Sequence, residues 1–359
     1  MIKYLGSKRA LVGVLGKMAD AAGARTAVDL FTGTTRVAQE FCRRGIEPTA
    51  VDLASYSLEL GRCYVETDAA AVDPDEVTDA LARLSALPPR PGYVTRVFCE
   101  RARYFHPENG ARIDAIRDGI DRLYADSALR PLLLTSLLEA ADRVDSTVGV
   151  QMAYLKAYPP RALRPLALRA PVLTPGTGRA VRADALAHAR TMGPVDFAYL
   201  DPPYNQHRYF TNYHVWETLV RWDDPDHYGV ACKRVDARDL ATRSAFNSRR
   251  TIHAALAETI AAVPARVVVT SFSDEGYVGI DELVGMAAGR GQDVRVLAFD
   301  SRRYVGSLIG IYSPAGVRVG EAGRRRNTEF LVLAGPAETL DLMVAAAGAE
   351  HLHVAGAVS

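Results

Sequence analysis

Val195-Asp196-Phe197-Ala198-Tyr199-Leu200-Asp201-Pro202-Pro203-Tyr204 is a short apolar run that stops on a carboxylate and two prolines. The run reads as a buried strand. Two prolines in series give no N–H to a sheet ladder, so the strand ends at Asp201. One carboxylate is thereby fixed at the carboxyl end of a strand, beside a rigid turn and a tyrosine. In open α/β sheets, ligands sit there. A plain surface turn is the alternative, since Asp-Pro is common turn chemistry.

Upstream, Thr26-Ala27-Val28-Asp29-Leu30-Phe31 reads as another buried strand, followed by Thr32-Gly33-Thr34-Thr35. A helix comes next, with Val37, Ala38, Phe41 and Cys42 on its apolar side. Pro48-Thr49-Ala50-Val51 then leads to Asp52. Strand, tight turn, helix, strand and carboxylate make the first half of a nucleotide-binding α/β unit. The turn offers backbone N–H groups and a positive dipole end. Asp52, about twenty residues on, can accept both hydroxyls of a ribose. A βαβ unit without a ligand shares the same local pattern.

Composition narrows the class. The chain has 359 residues, 48% hydrophobic and 24% charged, an ordinary globular balance for more than one simple domain. Its net charge of +1 provides no global basic field, so a nucleic acid would need a local patch. Cys42, Cys63, Cys99 and Cys232 form no Cys-x-x-Cys pair, which argues against a structural zinc or disulfide framework. No apolar run approaches the ~20 residues of a membrane span. The start, Met1 to Arg9, lacks a signal-peptide core, so the cytoplasm is the expected location and no membrane partner is expected.

Residues 53–150 read mostly as helices: Leu58 to Tyr64, Pro74 to Leu87, Arg112 to Tyr124 and Leu129 to Val144. That is too long and too helical for a simple crossover, so an inserted domain is expected. Residues 151–182 hold Lys156, Arg161, Arg164, Arg169, Arg179 and Arg182 with no Asp or Glu. This proline-broken basic stretch is the expected phosphate contact, though a linker has the same composition. Val181 to Leu186 reads as a strand carrying Asp184. Helices at Val215 to Trp222, Ile252 to Ala262 and Ile280 to Ala288 follow. Strands at Arg266 to Phe272, Val294 to Phe299 and Glu329 to Leu333 complete the pattern. Between Trp222 and Ile252 lies a polar, arginine-bearing stretch. The loop Arg324 to Thr328 and an alanine- and glycine-rich, loosely ordered tail close the chain.

In this order the stretches resemble the D12 class of adenine-specific DNA methyltransferases, the group that includes the Dam methylases. The residues that carry the resemblance are Tyr4 to Lys8, Val28 to Val37, Asp52, Asp184, Asp201 to Tyr204, Val267 to Phe272 and Glu329 to Leu333. Asn205 to Glu217, with Tyr209, Asn212-Tyr213-His214 and Glu217, resembles the subset accompanying type II restriction systems. The resemblance implies a Rossmann-like α/β fold for binding S-adenosylmethionine, built from residues 1–65 and 181–340. It implies an inserted, mainly helical target-recognition region at 66–180, leaving 341–359 as a tail. Tyr4 and Lys8 would lie near the methionine end, with Asp29, Phe31, Gly33 and Thr34 around the loop. Asp52 would hold the ribose and Asp184 would lie by the adenine. Double-stranded DNA is the implied substrate, and a cognate restriction endonuclease the implied partner. Family members often carry glycine where this chain has Thr35. A β-branched residue is disfavoured at φ > 0, so the loop is expected to take a tighter or different turn, or to bind the cofactor less closely.

These residues suit the chemistry. An aromatic exocyclic amine is a poor nucleophile because its lone pair is delocalised into the ring. The Asp201 carboxylate and the Pro202 carbonyl, held rigid by Pro203, can accept its two N–H groups, while Tyr204 stacks on the base. No metal is required. A sulfonium cation nearby favours an ionised Asp201. The base must be flipped out of the duplex, and Tyr209, Phe210 or Tyr213 could stack on it or equally pack the core. The reading is site-specific adenine-N6 methylation of DNA. Its rivals are N4-cytosine methylation, N6-adenine methylation of RNA, and an inert DNA-binding module.

Overall fold

The computed structural model describes residues 1–348 apart from 7, 9, 177, 206–207, 240–241, 303–310, 313–317 and 321–325, and it describes only backbone for the remainder of 300–327. The Arg324 to Thr328 loop and the end of the tail therefore lie largely outside the described residues. In chain order the strands are β1 (Thr26–Asp29), β2 (Glu47–Asp52), β3 (Arg179–Arg182), β4 (Val195–Leu200), β5 (His227–Tyr228), β6 (Lys233–Arg234), β7 (Ala265–Ser273), β8 (Asp293–Arg302), β9 (Ile311–Tyr312), β10 (Arg318–Gly320) and β11 (Arg326–Gly335).

The central sheet has the order β3-β2-β1-β4-β7-β11-β8. β1 pairs in parallel with both β2 and β4, and β4 with β7, whereas β11 runs antiparallel to β7 and β8. The strand order reverses at β1 and β4, which places the ligand crevice of such a sheet beyond Asp29 and Asp201.

The two-residue period of the strands sorts the core. Phe197, Tyr199, Val267, Val269, Leu331 and Leu333 face one side. There they meet Leu15 and Met18 of α1 (Val12–Ala21), Phe41 of α2 (Arg36–Arg43), and Leu340 and Met343 of α12 (Ala337–Ala347). Residues 341–347, expected as part of a loose tail, thus belong to a helix whose apolar stripe is buried. On the opposite side Ala198, Leu200, Val268 and Val332 meet α7 (Ala185–Thr191), α10 (Ile252–Ala262) and α11 (Ile280–Ala288).

A third core is helical. It joins α3 (Ser55–Gly61), α4 (Pro74–Ser85), α5 (Pro107–Tyr124) and α6 (Arg130–Arg143) to two π-helical stretches, Arg62–Glu66 and Val94–Arg101. α4 starts where Asp73 caps it, its carboxylate accepting from the Asp75 N–H at 2.9 Å, with Pro74 behind; such a cap is worth ~1 kcal/mol. The Val94–Arg101 helix is organised from a distance. The Asp114 carboxylate accepts from the N–H groups of Gly92, Val94 and Thr95 and from the Thr95 hydroxyl. This helical core also takes in residues beyond 180: Tyr213, Val215, Trp216 and Leu219, and Cys232 beside the β5–β6 ribbon. Most of these flank or sit on α8 (Tyr209–Asn212) and α9 (His214–Arg221). Buried Arg117 donates to the carbonyls of Leu219 and Val220, closing the carboxyl end of α9.

The basic stretch 151–178 has no regular structure but is stapled down. The Asn109 side-chain amide donates to the carbonyls of Ala162 and Arg164 and accepts from the Leu166 N–H. Ser136 does the same for Arg169. Among the described residues, no helix is long and apolar enough to cross a membrane.

Candidate active site

The turn after β1 is built around Asp52. Its carboxylate accepts from the Gly33 N–H and the Ala54 N–H, both at 2.9 Å, and so ties the end of β2 to the loop after β1. The Thr32 hydroxyl donates to Asp29 at 2.8 Å. Gly33 sits at φ +51, where a Cβ would lie 2.8 Å from the Tyr4 ring, so glycine is required both by backbone and by space.

Thr35 corrects one expectation. It takes the left-handed conformation itself, with φ 63 and ψ 15, rather than avoiding positive φ. The strain is offset locally: its hydroxyl donates to the Thr34 carbonyl at 2.7 Å and accepts from the Gln39 amide at 2.9 Å.

Tyr4 is clamped. Its ring stacks on Tyr213 at 4.7 Å and on Tyr209 at 5.2 Å, with Tyr56 edge-on at 6.4 Å. Tyr213 is fully buried, and its hydroxyl accepts from the Leu5 N–H. Of the two roles open to its aromatic run, base stacking and core packing, Tyr213 takes the core one in this structure. Burial pushes the Tyr4 and Tyr209 hydroxyls well above the usual phenol range, so both stay neutral.

Asp201 follows β4 and meets Lys8, whose ammonium lies 3.1 Å away. Lys8 also pairs with Glu329 of β11, which accepts from the Ser271 hydroxyl of β7 at 2.6 Å. One cation thus bridges two carboxylates. Burial disfavours the charged lysine, but Asp201 and Glu329 outweigh it and hold its pKa well above normal. For Asp201 burial dominates: it lifts the carboxyl to about 7, against the pull of Lys8 and with a further push from Glu329. Without a sulfonium beside it, the Asp201 carboxyl titrates near neutral pH; the expected ionised form is the one a bound cation would favour. Tyr204 leans on Phe272 at 5.5 Å, and the Lys8 ammonium lies 5.7 Å from its ring centre.

A pocket of about 870 Å³, counting its open mouth, joins these parts. Of the residues singled out in the sequence it brings together Tyr4, Phe31, Asp52, Asp184, Asp201, Pro203, Tyr209 and Phe210. Asp184 lies two residues past β3 rather than on a strand, and it caps α7 by accepting from the Ala187 N–H. Asp29, Gly33, Thr34, Lys8 and Tyr204 surround this space without lining it. Lys156, Arg161, Arg164 and Arg169 do not line it either. Arg161 is committed elsewhere, donating to the carbonyl and carboxylate of Asp145.

The other wall was not foreseen. Arg208, Thr242, Ser244, Phe246 and Asn247 line it. Phe246 is buried edge-on against Phe31 at 4.9 Å, and the Asn247 amide donates to the Asn205 carbonyl just after the Asp201 turn. The sequence marks this segment only as part of a polar, arginine-bearing stretch and a second candidate DNA surface; its place in the pocket wall comes from Phe246 packing on Phe31.

Residues 4–260 match the model of the D12 class N6 adenine-specific DNA methyltransferases. The type II methyltransferase M.NlaIII of Neisseria lactamica is 30% identical over 297 residues, 79% of this chain and 86% of that protein. M.CviAII of Paramecium bursaria Chlorella virus 1 is 28% identical, covering 74% of this chain and 80% of that one. M.FokI of Planomicrobium okeanokoites is 30% identical over 57% of this chain, which spans only 32% of that longer protein. The chain belongs to the D12 class of N6 adenine-specific DNA methyltransferases.

Proposed function

We propose that this chain is the modification enzyme of a type II restriction system, methylating adenine N6 within one short duplex sequence and working in the cytoplasm beside a cognate endonuclease. Adenine-N6 methylation of DNA from S-adenosylmethionine is the activity of its class. The observation that carries the finer reading is the single pocket that holds Asp201 and Asp52 together, with a stacked tyrosine wall on Tyr4.

The cofactor supplies an electrophilic methyl group on a sulfonium. The residues present suit it. Asp52 keeps lone pairs for a ribose, Phe31 and Leu30 give an apolar wall, and the Gly33 turn packs closely against Tyr4, which lines the pocket. Asp201 and the Pro202 carbonyl accept the two N–H groups of the flipped adenine and make its nitrogen more nucleophilic. Lys8 and Glu329 hold Asp201 in place. Residues 66–180, together with the parts of 209–234 packed on them, serve as the target-recognition region.

Gly33→Ala tests the cradle. The added Cβ meets a tyrosine that cannot retreat between its two stacked neighbours, at a backbone position strained for alanine. Affinity for S-adenosylmethionine, measured by calorimetry, is expected to fall roughly tenfold, or ~1.4 kcal/mol. An unchanged affinity would remove the turn from the binding site.

The function is tested by transfer from labelled S-adenosylmethionine to unmodified plasmid DNA, with nucleoside analysis and mapping. N6-methyladenine at one short sequence is expected. Label on cytosine N4, on RNA alone, or spread without sequence preference would overturn this reading.

A further inference from the structure

A DNA methyltransferase that extrudes a base must also grip the backbone beside it, because affinity for DNA comes largely from phosphate contacts. The stretch 151–182 is a poor source for that grip at the pocket. Arg161 is spent on Asp145, and the exposed Arg164 and Arg169 line no part of the pocket.

Other arginines lie on the pocket wall or next to it in sequence. Arg208 lines it, and the segment that forms its outer wall, Thr242 to Asn247, is followed by Arg249 and Arg250 and includes Arg243. All four guanidinium side chains are exposed, and among the described residues none has a carboxylate partner. From 242 to 251 the chain carries no Asp or Glu.

The segment is also pre-ordered. Phe246 anchors it in the core against Phe31, the Thr251 hydroxyl donates to the Ala245 carbonyl, and Asn247 ties it to Asn205. Arg249 is held over the Tyr277 ring at 5.1 Å, and the Tyr277 N–H donates to the Tyr204 carbonyl in the Asp201 turn. Arg243 is steadied by donating to the Arg238 carbonyl. Exposed, unneutralised guanidinium groups on and beside a pocket wall, two of them held in place, fit phosphodiesters, which they can bind with two hydrogen bonds each.

We propose that Arg208, Arg243, Arg249 and Arg250 form a collar that grips the target-strand phosphates on either side of the flipped-out adenine. A flipped nucleotide stays attached through both of its phosphates, so these come to the mouth whenever the base enters the pocket. The collar rests on the methyltransferase reading and adds to it the surface that meets the backbone. It contributes affinity without reading sequence.

The test compares the parent enzyme with a combined Arg243→Gln, Arg249→Gln, Arg250→Gln variant on a 40-base-pair duplex carrying the sequence that the parent is mapped to methylate, at graded salt. Each lost phosphate contact lowers the slope of log K against log salt by roughly 0.9, so a drop of roughly 2 to 3 is expected. The matching lysine triple should restore most of the slope. Lys156→Gln, Arg164→Gln, Arg169→Gln serves as the comparison. An unchanged slope in the collar variant would overturn the proposal, as would a loss confined to the comparison variant. Cofactor affinity, measured in parallel, should be unaltered. If the collar triple loses it, Arg250→Gln alone, a change to an exposed side chain, is read instead for a slope drop of roughly 0.9 or none. Methylation of plasmid DNA by the parent separates the two levels. An inactive parent speaks against the function, and an active parent with an unaltered variant slope speaks against the collar.

Discussion

Asp201→Ala is expected to lower kcat for methyl transfer about a thousandfold while changing S-adenosylmethionine affinity only a few-fold. The asymmetry follows from what Asp201 touches. Its carboxylate faces Lys8 and the space where the adenine amine must enter, whereas Asp52 ties the opposite end of the pocket. The variant should fold, because Lys8 keeps Glu329 as a partner and no buried cation is stranded. The raised pKa points the same way. A carboxyl lifted from its ordinary 3.8 to about 7 contributes stability at low pH and loses that contribution as pH rises through about 7. Removing it at pH 8 therefore removes a desolvated charge. Asp201→Asn, which keeps one acceptor oxygen, should retain more activity than alanine. Burst and steady-state assays with a parallel calorimetric titration check both statements. An active Asp201→Ala enzyme would sink the amine-acceptor role, and a folded variant unable to bind cofactor would reassign Asp201 to the cofactor.

Those parts of the fold that rest on local periodicity were legible before any coordinates. Ile252 to Ala262 and Ile280 to Ala288 are helices with the expected bounds, and Val195 to Leu200 is the strand that delivers Asp201. The features that escaped notice depend on partners distant in sequence. The Val94–Arg101 helix is set by Asp114, the strap after 150 by Asn109 and Ser136, and the second pocket wall by Phe246 on Phe31. Tyr213 shows the same limit from the other side. Its aromatic run leaves base stacking and core packing equally open, and only the ring buried against Tyr4 decides between them. Thr35 is the instructive exception to a sound rule. A β-branched residue is disfavoured at positive φ, but here two hydrogen bonds through its own hydroxyl hold it there, and propensity alone does not reveal them.

Glu329→Gln should move the pH dependence of methyl transfer without changing its mechanism. Glu329 does not line the pocket; it acts through Lys8, which it shares with Asp201. With both carboxylates charged, the single ammonium is divided between them. Neutralising Glu329 removes one like charge facing Asp201 and leaves Lys8 entirely to Asp201. Both effects favour the ionised form. The parent's kcat/KM for S-adenosylmethionine should rise with pH through about 7, where the Asp201 carboxyl titrates before the cofactor binds. In the variant that limb should fall roughly one pH unit lower. The other groups facing Asp201 do not blur the result. Tyr199, Tyr204 and Tyr209 are all pushed up by burial and stay neutral over this range. Asp29, also lifted to about 7, has Asp201 among its charged neighbours, so an Asp201 that ionises earlier pushes Asp29 up, opposite in direction to the shift expected of the Asp201 limb. A purely structural role for Glu329 predicts something else: a lower plateau with the acid limb unmoved. That outcome would leave Lys8 as a tether and take away its part in setting the charge of Asp201.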